Sequence, residues 1–203
     1  MIQDLILREL AGHEAVLTDS HFVYTSGLHG TAYVNIRAAA HDSGLMAELG
    51  HALRLRLMEY APQLVIGPES LGRTLAYAVA AGDDWSVPAI WCDMIYDENY
   101  YGDRLWKKAD FSPKFNFGRL ITPGMKVVVV DDLVTTGDSI RLTAELVGHF
   151  GGNIVAAGAI VRRDQSIGAE QCGVPALEVL AEVEGFATYS GEECREKIGR
   201  AHV

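Results

Sequence analysis

The chain has 203 residues, a formal net charge of −10 and a pI near 5.1. This acidic balance argues against a nucleic-acid-binding protein, which would carry a basic face, so we expect no nucleic-acid partner. Hydrophobic residues make up 49% of the chain and charged residues 22%, a composition typical of a globular domain with a substantial core.

The first residues lack the basic region and long apolar run of a secretory signal. No apolar run is long enough to cross a bilayer, so we expect no membrane association. The three cysteines, Cys92, Cys172 and Cys194, lie far apart without a Cys-x-x-Cys pair. This spacing predicts neither a disulfide framework nor a zinc site, and together these features predict a cytoplasmic protein.

Hydrophobic periodicity divides the chain into alternating helices and strands. In chain order, the patterns predict a helix within 2–18, a hairpin-like segment over 21–37, a helix over 43–60, a strand over 64–66, a turn at 67–68, a helix over 71–81, a strand over 87–92, a long mobile loop or flexible ribbon over 94–120, a strand over 127–131, a helix over 139–150, a strand over 154–161, a polar stretch over 162–170, a strand over 177–183 and a helix over 192–198. Such alternation predicts an α/β domain with a central, mainly parallel sheet flanked by helices.

The most informative segment is 127–139. Four consecutive valines predict a strand buried on both faces, and Asp131 and Asp132 stand at its predicted end. A Thr-Thr-Gly turn follows before Asp138 and Ser139 open the next helix, where backbone N–H groups can converge on an anion. The pattern predicts a ligand with a phosphate and a vicinal diol. The alternative, an ordinary strand–turn–helix junction, needs only one capping residue.

Segment 127–139 resembles the phosphoribosyl-diphosphate (PRPP) motif of the type I phosphoribosyltransferases: an apolar strand, two acids, two variable residues, Thr-Thr-Gly and, after one residue, Ser or Thr. The resemblance implies Mg²⁺-dependent transfer of ribose 5-phosphate from PRPP to a nucleobase, with release of pyrophosphate. It implies that Asp131 and Asp132 are catalytic, holding the ribose diol and contacting Mg²⁺ indirectly, through PRPP or water. The residues that would bind the 5-phosphate are Thr135, Thr136, Gly137, Asp138 and Ser139.

Residues 65–76, V-I-G-P-E-S-L-G-R-T-L-A, resemble the pyrophosphate loop of the orotate branch of this family. The resemblance implies that Glu69, Ser70, Gly72 and Arg73 bind the substrate. An ordinary strand-to-helix turn is the alternative for this loop.

Segment 21–35 resembles the orotate branch's F-x-L-x-S-G-x-x-S-x-Y stretch, part of a hood over the base. Ser26 and Tyr33 would then contact the base, Tyr33 by stacking; the alternative is that the segment's aromatic residues face the core. Arg163 matches an arginine that contacts the base carboxylate in that branch, and a solvated turn is its alternative. We therefore expect one domain over 1–203, with the hood from about 1–40 and the core from about 41–185.

The segment 94–120 departs from the orotate branch because it lacks the histidine of that branch's Lys-rich lid. Lys107 and Lys108 are its candidates for bringing positive charge to the leaving pyrophosphate, as catalytic residues of a lid. Thr25 stands where a lysine commonly faces the base, and Asp131 where the orotate branch more often has Glu. An orotate-like pyrimidine is the predicted acceptor.

Two alternatives remain open: a phosphoribosyltransferase for a purine or other base, and a PRPP-binding regulatory protein without catalysis. A Rossmann-type oxidoreductase is excluded, since no Gly-x-Gly-x-x-Gly follows an early strand. The resemblance also implies a homodimer.

Overall fold

The computed structural model describes residues 2–18, 20–23, 29–82, 85–96, 106–115, 117–183 and 188–197. Short 3₁₀ helices lie at Ile36–Ala38, Met58–Tyr60 and Phe117–Leu120. The other elements, in chain order, are α1 (Ile2–Gly12), β1 (Val16–Leu17), β2 (Phe22–Val23), β3 (His29–Gly30), β4 (Tyr33–Val34), α2 (Ser43–Leu57), β5 (Leu64–Pro68), α3 (Leu71–Ala80), β6 (Ala81–Gly82), β7 (Trp85–Ser86), β8 (Ala89–Tyr96), β9 (Trp106–Asp110), β10 (Lys126–Val134), α4 (Asp138–His149), β11 (Asn153–Arg162), β12 (Leu177–Glu182), β13 (Thr188–Tyr189) and α5 (Gly191–Lys197).

A six-stranded sheet lies at the centre, in the order β12-β11-β10-β5-β8-β9. Its neighbouring strands are parallel except for β9, which runs antiparallel to β8 at one edge. The four valines at 127–130 are fully buried in β10, as expected for a strand covered on both faces. This mainly parallel sheet confirms the predicted fold class.

Helices cover both faces of the sheet, and the alternation of side chains along β10 shows how. Val128 and Val130 pack with α1, α2 and α3 on one face. Val127 and Val129 pack with α4 on the other, because successive strand residues point to opposite faces. Within the described ranges, no helix is both long and apolar enough to cross a membrane.

Strand β5 is longer than predicted. Gly67 and Pro68 continue the strand, paired with Trp91 and Cys92 of β8, and the chain turns only at 69–70. The Gly-Pro pair, which predicted a turn, remains in the strand because β5 pairs with β8 from Val65 to Pro68.

Strand β10 also runs past its predicted end. Its pairing with β5 stops at Val129 opposite Ile66, whereas its pairing with β11 continues to Val134 opposite Arg162. The two aspartates of the sequence motif therefore lie inside the strand, with β11 on one side only. Their backbone is fixed by the strand while its other edge is open.

The predicted loop or ribbon over 94–120 contains an ordered ribbon at its described positions. Strand β9 pairs with β8, with Asp110 opposite Asp93 and Trp106 opposite Tyr96. The register shifts between Ile95 and Tyr96: Lys108 lies opposite Ile95, but the residue opposite Tyr96 is Trp106 and not Lys107. Residues 97–105 lie outside the described part of the chain.

A second, three-stranded sheet joins the two ends of the chain. Strand β3 pairs antiparallel with β2, as the predicted hairpin-like segment requires, and also with β13 near the C-terminus. Helix α5 follows β13 directly. The hairpin is thus bordered by residues from far along the sequence.

The tight approach of β5 to α3 generates a stability prediction. A Cβ on Gly67 would lie 1.9 Å from the backbone oxygen of Gly72, whereas a Cβ on Gly148 in α4 would meet nothing within 4 Å. We expect Gly67→Ala to lower the free energy of unfolding by about 3 kcal/mol through overpacking. Gly148→Ala, the control, should raise it by roughly 0.5–1 kcal/mol.

Urea unfolding followed by tryptophan fluorescence measures both variants. Equal stability of Gly67→Ala and the unchanged protein would contradict the described contact between the two backbones.

Candidate active site

The site lies where the carboxyl ends of β5 and β10 meet. The chain leaves β5 through α3 and enters β8, on one side of the β5–β10 pair. It leaves β10 through α4 and enters β11, on the other side of that pair. The two helices also cover opposite faces. Such a reversal opens a crevice at the strand ends, where open α/β sheets bind their ligands.

Asp131 anchors one wall of this crevice. It is 7% exposed, and its Oδ2 accepts a hydrogen bond of 2.5 Å from the Ser139 hydroxyl at the start of α4. Its Oδ1 accepts a bond of 2.9 Å from the backbone N–H of Asp132. Burial raises the pKa of Asp131 well above its usual range, and the neighbouring charge of Asp132 raises it further.

Asp132 is partly exposed. Burial raises its pKa, while hydrogen bonding with Asp131 and the positive charge of Arg37 act in the other direction. Two adjacent carboxyls with raised pKa values favour retention of a proton by the pair. A ligand that brings hydroxyl donors or positive charge would stabilise their ionised form, so the pair is suited to bind such a ligand.

The turn between β10 and α4 requires glycine at one position. Gly137 has φ +81°, and a Cβ there would lie 2.8 Å from the sulfur of Cys172. The turn thereby directs the first N–H groups of α4, with their partial positive charge, toward the crevice. Thr135 and Thr136 flank this turn with hydroxyl groups, and the whole is suited to an anion.

Asp138 has a structural role within this turn. One oxygen of its carboxylate accepts a bond of 2.9 Å from the Thr136 hydroxyl, and the other a bond of 2.8 Å from Arg141. The backbone N–H of Asp138 makes only a long contact, of 3.4 Å, to the Thr136 hydroxyl oxygen. Since the carboxylate is already engaged, this N–H is the group of Asp138 that is suited to an anion.

The predicted pyrophosphate loop borders the same crevice. Glu69 and Ser70 are joined by a cis peptide bond, and the Glu69 N–H donates to the Cys92 carbonyl at 2.8 Å. A Cβ on Gly72 would lie 3.1 Å from the Val130 carbonyl, directly before the acid pair. Close backbone packing therefore brings this loop beside β10.

Arg73, on the first turn of α3, is the cation of this loop. Its Nη1 lies 3.8 Å from Glu69 Oε1, and both side chains are almost half exposed. Its guanidinium lies 5.4 Å from the ring centroid of Trp91. An exposed ion pair of this length is weak, so the guanidinium can exchange Glu69 for an anionic ligand.

Tyr33 is an exposed aromatic residue of the hood. Tyr33 is 40% exposed and stacks on Phe22, with ring centroids 5.6 Å apart and planes 25° apart. Tyr33 therefore lies outside the core, which disagrees with the alternative that the aromatic residues of this segment face the core. Ser26 lies outside the described residues.

The two arginines after β11 differ in their contacts. The Arg163 N–H donates to the Val134 carbonyl at 2.9 Å, which fixes this residue beside the end of β10, and its side chain is partly exposed. Arg162 instead pairs with Glu182 of β12 and donates to the Ile167 carbonyl. Arg162 is therefore a structural residue, and Arg163 remains the candidate for the site.

Lys108 is not brought to the acid pair in this structure. Its Nζ lies 2.6 Å from Asp110 Oδ2, and it lines a cavity with His149 and Phe150 at the far end of α4. About ten residues of helix, roughly 15 Å, separate that end from Ser139. The Lys107 backbone lies in β9 where the register shifts; its side chain lies outside the described part.

Sequence reasoning missed Arg37, which lies in the 3₁₀ helix at Ile36–Ala38 and whose positive charge opposes the burial-driven rise in the pKa of Asp132. No motif contains this residue. The available signal was a lone cation two positions after the hood segment.

The comparisons with known proteins support one family. The model of the phosphoribosyl transferase domain matches residues 42–174. An orotate phosphoribosyltransferase of Thermotoga maritima is 29% identical over 189 residues, covering 93% of this chain and 90% of the relative. An orotate phosphoribosyltransferase of Carboxydothermus hydrogenoformans is 31% identical over 190 residues, covering 93% of this chain and 89% of that relative.

Solved structures share the fold. The orotate phosphoribosyltransferase of Aeropyrum pernix superposes with a TM-score of 0.64 at 23% identity, covering all of both chains. The orotate phosphoribosyltransferase of Mycobacterium tuberculosis in complex with PRPP superposes with a TM-score of 0.61 at 19% identity. The match covers 88% of this chain and 96% of the M. tuberculosis chain. Because the domain model spans most of the chain and a relative of 31% identity covers 93% of it, the chain belongs to the phosphoribosyltransferase family.

Proposed function

We propose that this protein transfers the ribose 5-phosphate of PRPP to a pyrimidine base, orotate, and releases pyrophosphate. The observation that supports this most directly is the hydrogen bond between Ser139 and Asp131, which joins an acid pair to an anion-binding turn. The names of the curated relatives, orotate phosphoribosyltransferases, support the choice of base.

The ribose 5-phosphate is held by β10 and the turn that follows it. The hydroxyl of Thr135 and the N–H groups of Gly137 and Asp138 donate to the phosphate. The hydroxyls of Thr136 and Ser139 join them by turning away from Asp138 and Asp131, to which they donate in this structure. The acid pair accepts hydrogen bonds from the ribose diol. This assignment is supported by the charge balance, since the neutral hydroxyls of the sugar suit a buried pair that disfavours two negative charges.

Mg²⁺ is the cofactor that these donors fit. It prefers carboxylate and water oxygens. Asp132 is the more exposed residue of the pair, whereas Asp131 is buried and its carboxylate is bonded to Ser139. Asp132 is therefore the residue suited to contact water ligands of the ion, and Asp131 orients the strand end. When bound with PRPP, Mg²⁺ supplies positive charge that neutralises the diphosphate.

The pyrophosphate lies at the loop containing Glu69, Ser70 and Gly72, where Arg73 donates to it. The exposure of the Arg73 guanidinium supports this role. Lys107 and Lys108 act as a lid that adds positive charge. For Lys108 this requires release from Asp110, with which it forms an exposed and therefore weak ion pair, and movement of β9 along the length of α4 toward the acid pair.

The base binds under the hood, with the Tyr33 ring stacked on it and Ser26 and Arg163 contacting its polar groups. In the reaction, a base nitrogen forms a bond to ribose C1 as the bond from C1 to the pyrophosphate oxygen breaks. Positive charge develops on the sugar ring and negative charge on the leaving group. Fixed donors and acceptors around both charges provide the catalysis, without a covalent enzyme intermediate.

Replacement of both acids tests this function. We expect Asp131→Asn/Asp132→Asn to retain the fold and to lower kcat/KM for pyrophosphate release from PRPP, Mg²⁺ and orotate by about 10²–10³-fold, because it removes charge at the reacting sugar. Glu48→Gln, on the exposed face of α2, is the control and should match the unchanged protein.

Full turnover by the folded double variant would overturn the ribose assignment. PRPP binding without turnover on orotate, uracil, adenine or hypoxanthine would overturn the transferase function in favour of a regulatory protein. Turnover on a purine alone would overturn the choice of a pyrimidine.

We extend the proposal to a homodimer in the cytoplasm. An aromatic cluster supports it: the Trp91 ring lies 6.1 Å from that of Tyr77, 5.1 Å from that of Phe115 and 4.5 Å from that of Phe117. Tyr77 is 47% and Phe115 56% exposed. Contiguous exposed rings of this kind are typical of protein interfaces.

Sedimentation velocity tests the dimer. We expect Phe115→Glu to raise the dimer Kd by at least about tenfold, since it puts a charge into an apolar contact. Leu5→Glu, equally exposed but on α1 beside the opposite sheet edge, should leave the Kd unchanged. A protein that is monomeric at every concentration, or equal effects of the two variants, would contradict this interface.

A further inference from the structure

Two imidazoles and a thiol converge where the hood meets the C-terminal helix. His21 Nε2 lies 2.9 Å from His29 Nδ1 and 3.2 Å from Cys194 Sγ, and the three atoms lie within 4.8 Å of one another. His29 is 7% and Cys194 3% exposed. The pairing of β3 with both β2 and β13, which leads into α5, fixes this convergence through the backbone.

Hydrogen bonds alone do not account well for this arrangement. A neutral imidazole nitrogen has either one proton or one lone pair, so it forms one well-aligned hydrogen bond. His21 Nε2, however, faces both a nitrogen and a sulfur. A metal ion at the centre accepts a lone pair from all three groups once the thiol loses its proton.

We propose that His21, His29 and Cys194 form a Zn²⁺ site. Thiolate and imidazole are the ligands that zinc prefers, at about 2.3 Å for sulfur and about 2.0–2.1 Å for nitrogen. Tetrahedral geometry with these lengths separates two nitrogens by about 3.4 Å and a nitrogen from a sulfur by about 3.6 Å. The His21 nitrogen lies within roughly half an ångström of those separations from both His29 and Cys194, and the His29 and Cys194 donor atoms lie within 4.8 Å of each other. Water fills the fourth position.

This site is separate from the acid pair in its chemistry. Mg²⁺ requires oxygen ligands and does not suit a thiolate with two imidazoles. The zinc site is therefore independent of the proposed transferase function.

The bound ion would fasten the hood to the end of the chain. Its ligands come from β3, from the residue preceding β2 and from α5, and His21 and Cys194 have a sequence separation of 173. Cross-linking such distant positions stabilises the folded chain, because the donor atoms converge only after folding. The absence of a Cys-x-x-Cys pair predicted no zinc site, since that rule considers only cysteines close in sequence.

Cobalt substitution tests the site on full-length protein without a tag, stripped of metal by a chelator. Titration with Co²⁺ should saturate at one equivalent, with visible d–d bands typical of tetrahedral cobalt and a near-ultraviolet thiolate charge-transfer band; Zn²⁺ should displace it. Cys194→Ser should lose the charge-transfer band. Both Cys194→Ser and His29→Ala should bind Co²⁺ at least about tenfold more weakly than the unchanged protein. The controls Cys92→Ser and His149→Ala, altered outside the cluster, should keep both the bands and the affinity.

Thermal unfolding provides a second measurement. Zn²⁺ at a hundredfold excess over its Kd should raise the Tm of the unchanged protein by about 5–10 °C and leave that of Cys194→Ser unchanged. Without metal the two proteins should have similar Tm values. Failure of Co²⁺ to give a charge-transfer band, or a band that persists in Cys194→Ser, would overturn the site.

Discussion

The site depends on the uneven pairing of β10. Up to Val129 the strand has β5 on one side and β11 on the other, and beyond that residue only β11 remains. The backbone at Asp131 is therefore rigid, yet one strand edge opens toward the crevice between α3 and α4. A strand paired on both sides would leave no space for a ligand, and an unpaired loop would not fix the acids.

This geometry has an electrostatic cost that the ligand can offset. Placing two adjacent carboxyls in a largely buried position raises both pKa values. The Ser139 hydroxyl and the charge of Arg37 relieve this only in part, since they act against burial, the largest cause. Destabilised charges of this kind cluster at functional sites, and a sugar with hydroxyl donors, bound together with a divalent cation, would stabilise them.

Local sequence patterns predicted the parts of the protein that depend on local interactions. The valines at 127–130 predicted a buried strand, and the Thr-Thr-Gly turn before Asp138 predicted where α4 begins. The extension of β5 through Gly67 and Pro68 was not predictable, because pairing with β8 decides it. Arg37 and the cluster of His21, His29 and Cys194 were missed for the same reason: their partners are brought together only by the folded chain.

The most direct test of the central claim is calorimetric comparison of ribose 5-phosphate with 2-deoxyribose 5-phosphate, each titrated into the folded protein with Mg²⁺. If the acid pair accepts hydrogen bonds from the diol while the turn holds the phosphate, ribose 5-phosphate binds at one site per chain. The deoxy sugar, which lacks one donor to a buried acceptor, should then bind at least about tenfold more weakly. Equal affinity for the two sugars, or no binding of ribose 5-phosphate at all, would contradict the account.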